Sequence, residues 1–150
     1  MLEYVLSEPE SYCLRITRDG LRVIVLSAGR KRIETLVDSY LSAVRSRQPD
    51  VAVSQELFSL ILGPALGPEP KSRLVVVPDG KLNLLPFDAL RDSAGNYVLG
   101  SHMVTYAPSA TVLHLLRRAP AEKSLSMSLV GVGGAVYSGT AGDRTPVEVA

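Results

Sequence analysis

The sequence predicts an α/β fold in which helices pack on a sheet as a layered sandwich. Three observations predict this class: alternating apolar and polar residues near the N-terminus, helical spacing of apolar residues over 30–47, and a run without polar alternation at 73–77. Strands that alternate with helices along a chain are typical of layered α/β proteins. We therefore expect a partial three-layer sandwich with an N-terminal antiparallel β-hairpin or meander and a central, mostly parallel sheet.

The composition is that of a globular protein of ordinary polarity. The chain has 150 residues, 46% apolar and 21% charged, which is enough for one domain with its own hydrophobic core. A formal net charge of +1 gives no strong field that would attract nucleic acid or anionic lipid. No apolar run has the length of a membrane span, and the N-terminus lacks the features of a signal peptide. We expect a cytoplasmic protein without nucleic-acid or membrane partners.

The first 26 residues have the pattern of an antiparallel meander. Residues 3–7 and 11–17 are predicted strands, and Asp19-Gly20 is a strong turn signal before a returning strand at 21–26. The period of two in the second strand is typical of a half-buried strand. One face carries Tyr12, Leu14 and Ile16, and the other carries Cys13, Arg15 and Thr17.

Two helices are predicted next. Apolar residues recur at helical spacing over 30–47, which indicates an amphipathic helix. A second helix is predicted over 54–63, with Ser54 as its N-cap, Glu56 near the positive end of its dipole, and Gly63-Pro64 as its end.

The middle of the chain is predicted to hold buried strands and tight turns. The run at 73–77 has no polar alternation, which suits a strand buried on both faces, and Pro78-Asp79-Gly80 turns the chain after it. Residues 82–90 are predicted to be a loop or short helix packed on the sheet. Short strands are predicted at 97–99 and 102–106.

The last third begins with a helix that Ser109 caps and that runs to about Arg118. Its predicted buried face is Val112, Leu113 and Leu116. A strand is predicted over 123–132, and residues 134–150 are predicted to be a loop or flexible tail.

Few side chains could carry nucleophilic or metal chemistry. Cys13 is the one cysteine, which excludes an internal disulfide, and His102 and His114 are the two imidazoles. Neither histidine has a metal-ligand partner three or four residues away, so no metal is expected. Cys13 lies in the middle of a strand, which favours a structural role, although the sequence leaves a dyad of Cys13 with either histidine open.

Two other kinds of site lack part of their pattern. Gly131-Val132-Gly133-Gly134 follows a predicted strand, but Val136 stands where a dinucleotide loop needs glycine, and no P-loop lysine is present. The Gly-x-Ser-x-Gly motif of serine hydrolases is also absent. We therefore expect no cofactor, and no residue is assigned to a catalytic, cofactor-binding or metal site.

Two motifs resemble those of the CHAT family. Residues 74–90 read Leu-Val-Val-Val-Pro-Asp-Gly-Lys-Leu-Asn-Leu-Leu-Pro-Phe-Asp-Ala-Leu, and residues 106–110 read Tyr-Ala-Pro-Ser-Ala. The resemblance extends over residues 1–137 and includes the N-terminal hairpin. It implies a caspase-like and separase-like cysteine peptidase fold, often attached behind tetratricopeptide repeats.

The resemblance also implies where the chemistry of such a domain lies. The family uses a His–Cys dyad, with the histidine in a His-x-x-x-His-Gly-like segment and the cysteine in a Ser-Ala-Cys-like segment. Both segments follow the strand that corresponds to 129–132, and neither occurs in this sequence. The family motifs present are scaffold: the Pro78-Asp79-Gly80 turn, with Asp79 capping locally, and Leu85, Pro86, Phe87 and Leu90 under the sheet.

Two functions are therefore expected as alternatives. The first is a non-catalytic N-terminal portion, residues 1–150, of a single CHAT domain whose parent hydrolyses peptide bonds. The second is a non-enzymatic module for protein interaction or oligomerisation that pairs through an exposed sheet edge. The expected partners are accordingly a peptide substrate of the parent protein or a second chain.

Overall fold

A five-stranded mixed sheet carries the fold of the described residues, which are 1–48, 50–67 and 73–118 of the computed structural model. Its strands are β1 (Leu2–Val5), β2 (Ser11–Thr17), β3 (Gly20–Leu26), β4 (Arg73–Val77) and β5 (Met103–Tyr106). The order across the sheet is β3-β2-β1-β4-β5. Strands β1 to β3 are antiparallel neighbours, whereas β1, β4 and β5 run parallel. The predicted α/β class, with a meander joined to a parallel part, is confirmed.

The hairpin between β2 and β3 forms where the sequence predicts it. Thr17 pairs with Gly20 across the two-residue turn, and Gly20 has a φ of 132°, which residues with a Cβ rarely adopt. The Asp19 N–H donates to Thr17 Oγ1 at 3.2 Å and satisfies one backbone group of the turn. Strand β3 therefore returns directly beside β2 and forms one edge of the sheet.

The buried face of β2 is the one that carries Cys13. Ser11 and Cys13 are fully buried, whereas Tyr12, Leu14 and Ile16 are only half-buried. Register explains the difference, because Tyr4 and Ile24 flank Cys13 on the face where the helices pack. The more apolar alternation of β2 thus faces away from the main core.

Helix α1 (Arg30–Arg45) confirms the predicted amphipathic helix and ends two residues before its predicted end. Ile33, Val37 and Tyr40 form its buried stripe and belong to the same cluster as Leu2 and Val76 of the sheet. This spacing places one face of the helix on the sheet, and the basic residues at its two ends are exposed or half-buried.

The second helix starts earlier than predicted, and its predicted cap is wrong. Helix α2 (Val51–Leu57) is capped by Asp50, whose side chain accepts a hydrogen bond from the Val53 N–H at 3.1 Å. Ser54 lies inside the helix and is buried, and its Oγ accepts a hydrogen bond from the Arg91 N–H at 3.0 Å. The helical path continues as a wider turn (Phe58–Leu62) and a 3-10 turn (Gly63–Ala65).

The connection from β4 to β5 is built from short turns. Two 3-10 turns, Gly80–Leu84 and Phe87–Ala89, confirm the predicted loop or short helix. The strand predicted at 97–99 is wrong, because Val98–Gly100 is another 3-10 turn and Arg91–Tyr97 is a single isolated bridge. Val98 is buried there, and its N–H donates to the Leu90 carbonyl at 2.9 Å.

Helix α3 (Ala110–Arg118) begins at the predicted cap, since the Val112 N–H bonds Ser109 Oγ at 3.0 Å. Its predicted buried face is wrong, because none of its residues is buried and Leu116 is 67% exposed. This helix lies at the end of the described chain, after β5.

The strand predicted at 123–132, the Gly131–Gly134 loop and the tail at 134–150 lie outside the described residues. No helix among the described residues is long and apolar enough to cross a membrane.

Candidate functional site at the carboxyl edge of the sheet

The three parallel strands end at the same edge of the sheet. In open α/β sheets, ligands bind outside the carboxyl ends of such strands, so this edge is the first place to look for a site. Leu6 follows β1, Asp79 follows β4 and Ala107 follows β5. Helix α1 starts beside them, because the Arg30 N–H donates to the Ser7 carbonyl at 2.9 Å.

Asp79 joins the ends of two strands and one helix. Its Oδ2 accepts a hydrogen bond from the Leu6 N–H at 2.8 Å and one from Arg30 Nη2 at 3.1 Å. The same Arg30 nitrogen donates to the Leu6 carbonyl at 2.7 Å. We call these three residues, Leu6, Arg30 and Asp79, the strand-end latch. The local capping role predicted for Asp79 is wrong, since its partners lie 73 and 49 residues away in sequence.

More charged side chains surround the latch. Arg30 Nη1 pairs with Glu34 Oε1 at 3.3 Å, one helical turn along α1. Lys81 Nζ pairs with Asp38 Oδ2 at 2.5 Å, and this hydrogen bond raises the pKa of the exposed Lys81 amine. The ionic groups of this edge are thus paired with one another, and each pair is partly exposed.

Gly80 allows this crowding. Its φ is +53°, and a Cβ there would lie 2.6 Å from Glu34 Oε1 and 2.9 Å from Arg30 Nη1. Both the backbone conformation and the space therefore favour glycine at the last position of the Pro-Asp-Gly turn.

Phe87 supports the edge from within the core. Its side chain is fully buried, 5.5 Å from the Tyr4 ring and 6.2 Å from the Tyr106 ring between centroids. The Phe87 N–H donates to the Tyr106 hydroxyl at 2.9 Å, while burial raises the pKa of that hydroxyl. Leu85 and Leu90 are also buried and Pro86 is half-buried, so the predicted packing of this segment is confirmed.

Cys13 lies in the core and is fully buried. Burial raises the pKa of its thiol to about 11, against smaller opposing effects of Tyr4, the N-terminal amine and Arg15. A nucleophilic thiolate needs a lowered pKa and access to solvent, and Cys13 has neither. The predicted structural role of Cys13 therefore agrees with its surroundings.

The raised pKa of Cys13 has a definite sign for stability. In the unfolded chain the thiol ionises near its ordinary pKa of 9.0, whereas in the folded protein it ionises near 11. Between these two pH values the thiol is ionised in the unfolded chain but still neutral in the folded protein, which favours unfolding. The contribution of the neutral, buried thiol to stability is therefore present below about pH 9 and is lost as the pH rises towards 11.

Neither histidine is brought to the thiol. His102 precedes β5, and β1 and β4 separate β5 from β2, which puts about three strand spacings, roughly 14 Å, between the two elements. His114 is an exposed residue of α3. Neither imidazole is among the groups that shift the pKa of Cys13. The geometry therefore does not support the Cys13–His102 dyad, and nothing couples Cys13 to His114.

The described residues offer little for other chemistry. Ser101 Oγ lies 2.7 Å from His102 Nδ1 in an exposed turn, and no carboxylate that would orient the imidazole is bonded to it among those residues. The part of the chain that the structure describes contains no group of three residues able to hold a metal ion.

A small cavity lies between α1, α2 and the turn after Leu90. Its volume is about 140 Å³ and its lining includes Tyr40, Ser54, Arg91 and Tyr97. The Arg91 guanidinium lies 4.2 Å from the Tyr97 ring centroid and bonds its hydroxyl, and the Tyr40 hydroxyl bonds the Ala89 carbonyl. These polar groups satisfy one another and stabilise the packing around the turn.

Comparison with known proteins gives one match. The family model of the CHAT domain matches residues 51–146, which is more than half of the chain. No curated protein and no solved structure matches. The match includes both motifs on which the resemblance rests, and it leaves out the hairpin and α1.

Proposed function

Because the chain belongs to the CHAT domain family, we propose that it is a scaffold portion of a caspase-like cysteine peptidase domain and is itself non-catalytic. The observation that carries this proposal is the state of Cys13. It is the single thiol of the chain, it is fully buried, and its pKa is about 11. No thiolate nucleophile is therefore available at neutral pH.

The parent protein would supply the chemistry. In the family a thiolate attacks the peptide carbonyl, an acyl-enzyme forms, and hydrogen-bond donors stabilise the oxyanion. The His-x-x-x-His-Gly-like and Ser-Ala-Cys-like segments that carry this dyad do not occur in these 150 residues. The role left to this polypeptide is to hold the parallel strands, through the strand-end latch and the Phe87 packing, in the geometry that the parent domain needs. A cytoplasmic location and an association with tetratricopeptide repeats belong to the same proposal.

A peptidase assay tests the non-catalytic part. The 150-residue chain is incubated with an unfolded protein and a mixed peptide library, and new termini are detected by mass spectrometry. We expect no cleavage above buffer, and no difference between the wild type and Cys13→Ala. Cleavage that a thiol alkylator blocks and that Cys13→Ala removes, while Ser101→Ala retains it, would contradict the proposal.

A second observation tests the link to a parent enzyme. The coding sequence downstream of codon 150 is read for the histidine and cysteine segments of the family. Finding both supports the scaffold proposal, and that longer chain should then cleave peptides through its own cysteine. A stop codon directly after Ala150 favours the second candidate function.

The second candidate function is a non-enzymatic interaction module. It is favoured by strand β3, whose alternate residues Leu21, Val23 and Val25 are more than half exposed. Apolar edge strands of this kind pair with other strands unless something blocks them.

A further inference from the structure

Strand β3 forms an edge of the sheet that carries little of the usual protection, a single charged residue. Among the described residues no strand pairs with its outer side, since β3 is terminal in the order of strands. Protective devices at such edges include proline, charged side chains (lysine above all), bulges and short strands. Strand β3 has seven residues, contains neither proline nor lysine, has Arg22 as its one charged residue, and pairs with β2 in unbroken register from Gly20 to Leu26.

The direction of its backbone groups follows from β2. The Ile16 N–H donates to the Met1 carbonyl at 2.8 Å, so the backbone groups of Ile16 point towards β1. Backbone direction alternates along a strand, so those of Arg15 point towards β3. Arg15 pairs with Arg22. The inner residues of β3 are therefore Arg22, Ile24 and the two strand ends, and the outward N–H and C=O groups belong to Leu21, Val23 and Val25.

The side chains of these three outward residues share one face of the sheet. Helices α1 and α2 pack on the opposite face, with Leu26 and Cys13. Leu21, Val23 and Val25 are 56%, 62% and 54% exposed, respectively. Within the part of the chain that the structure describes, the strand thus presents three backbone donors and three acceptors without a strand partner, together with an apolar row.

We propose that two copies of this chain pair antiparallel through β3, with Val23 on the two-fold axis. This register places Val23 opposite Val23 and Leu21 opposite Val25 of the second copy. Each of these pairs consists of outward residues, so all six outward N–H groups of the two strands find a carbonyl. A register shifted by two residues places Val25 of both copies opposite Asp19 in the turn, or Leu21 of both copies opposite Ser27 beyond the strand, and a shift by one opposes inward to outward residues.

Side-chain chemistry agrees with this register. The apolar row of one copy continues into that of the other on one face of a ten-stranded sheet. Arg22, the one charged residue of β3, lies opposite Ile24 rather than opposite its own copy. No like charges are therefore opposed, which is a condition for stable cross-strand pairs.

The expected association is weak. Seven residues at about 3.4 Å each give roughly 24 Å of paired strand, and a single strand pair is small compared with the about 1,200 Å² that stable interfaces bury. Dimer formation should therefore be followed from about 10 to about 500 µM, the range in which weak complexes are populated. The inference develops the second candidate function and does not depend on the catalytic state of Cys13.

Sedimentation velocity on the 150-residue chain gives the first test. We expect a reversible monomer–dimer equilibrium without larger species, since the pairing joins the β3 edges of the two copies and leaves no β3 edge free for a third. Val23→Pro removes the central outward N–H and leaves the ladder to β2 intact, so it should weaken dimerisation at least about tenfold. Val23→Thr keeps the N–H and the shape and should remain within about threefold of the wild type. Circular dichroism confirms that both variants fold.

Two controls separate edge pairing from other association. Val5→Lys alters the same exposed face on β1, a strand paired on both sides, and should leave the dimer unchanged. Amide hydrogen exchange should slow at Leu21, Val23 and Val25 as the protein concentration rises, with no change at Arg22 and Ile24. A monomer at every concentration, an open series of oligomers, or a dimer that Val23→Pro leaves intact would overturn the proposal. A peptidase assay that contradicts the non-catalytic proposal would leave it unaffected.

Discussion

Removing the Asp79 carboxylate tests the role of the strand-end latch most directly. In Asp79→Ala the N–H of Leu6, whose side chain is buried, loses its acceptor, and Arg30 loses an ionic partner. A hydrogen bond to a charged group contributes about 1.5–3 kcal/mol. The Arg30–Asp79 pair is 42% and 37% exposed, so its contribution is at most about 1 kcal/mol. We expect Asp79→Ala to lower the free energy of unfolding by about 2–3 kcal/mol.

Urea unfolding followed by circular dichroism measures this change. With a slope of about 1–3 kcal/mol per molar for a protein of this size, the midpoint should fall by roughly 1–2 M while the slope stays unchanged. Asp79→Asn keeps an oxygen that can accept from Leu6 and should lose only about 1 kcal/mol. The matched control is Asp38→Ala, which breaks the exposed pair with Lys81 and should leave the urea midpoint close to that of the wild type.

Two results would refute the reasoning. If Asp79→Ala unfolds within about 0.5 kcal/mol of the wild type, the Leu6 N–H finds another partner and the latch contributes nothing to stability. If Asp79→Asn is as destabilised as Asp79→Ala, the charge rather than the Leu6 hydrogen bond is what matters, and the exposed ion pair has been undervalued.

Three further predictions concern residues around the sheet. Cys13→Ala should reduce the fall in unfolding free energy between pH 9 and 11 seen by urea titration, because the raised thiol pKa is removed; an unchanged pH profile would contradict the pKa of about 11. Phe87→Ala should lower the free energy of unfolding by about 3–5 kcal/mol in the same assay, because it leaves a cavity in the core, whereas Phe87→Leu fills most of that space and should lower it clearly less. Equal decreases would show that the cavity is not the cause of the destabilisation. Gly80→Ala should lower the free energy of unfolding by about 1–2 kcal/mol, since its φ is +53° and a Cβ there would meet Glu34 Oε1 at 2.6 Å; a stabilised Gly80→Ala would argue against strain there.

The elements that the sequence predicts well are those whose signals are local. The Asp19-Gly20 turn sets the β2–β3 hairpin through backbone conformation, and the spacing of Ile33, Val37 and Tyr40 sets the buried face of α1. In each case the residues that determine the structure are within a few positions of one another. Such signals survive because tertiary packing reinforces rather than replaces them.

The errors arise where several local choices are equally good. Asp50 and Ser54 are both residue types that suit an N-cap; Asp50 caps the helix, and the Ser54 hydroxyl inside the helix accepts from the Arg91 N–H instead. The alternation of β2 defines two faces without indicating which one is buried, and register with β1 turns the face of Cys13 inward. Contacts decide both cases, and they come from residues more than eight positions away.

The strand-end latch shows which part of the candidate site the sequence predicts and which part it does not. The Pro-Asp-Gly motif identifies a turn after a buried strand, and that turn forms as predicted. The partners of Asp79 are a backbone N–H after β1 and the first residue of α1, neither of which has a motif of its own. The parallel pairing of β1 with β4 is what brings them together, since it puts both strand ends at one edge. One signal in the sequence could have located the site. Sites in α/β sheets lie at the carboxyl ends of parallel strands, and here an acidic residue follows such a strand while a basic residue starts the helix after another.

The latch also links the N-terminal residues to the part of the chain that matches the family. The CHAT match begins at residue 51, yet β1 pairs directly with β4 inside the matched segment. Asp79 of the family motif bonds Leu6 and Arg30, which both lie before the match. Asp79 can therefore form its hydrogen bonds only when the first 50 residues are present and folded. Removing residues 1–48 should therefore expose the apolar face of β4 and leave Asp79 without partners, so the matched segment alone should fail to give cooperative urea unfolding. Cooperative unfolding of that segment with native-like stability would show that the hairpin and α1 are dispensable to the matched segment.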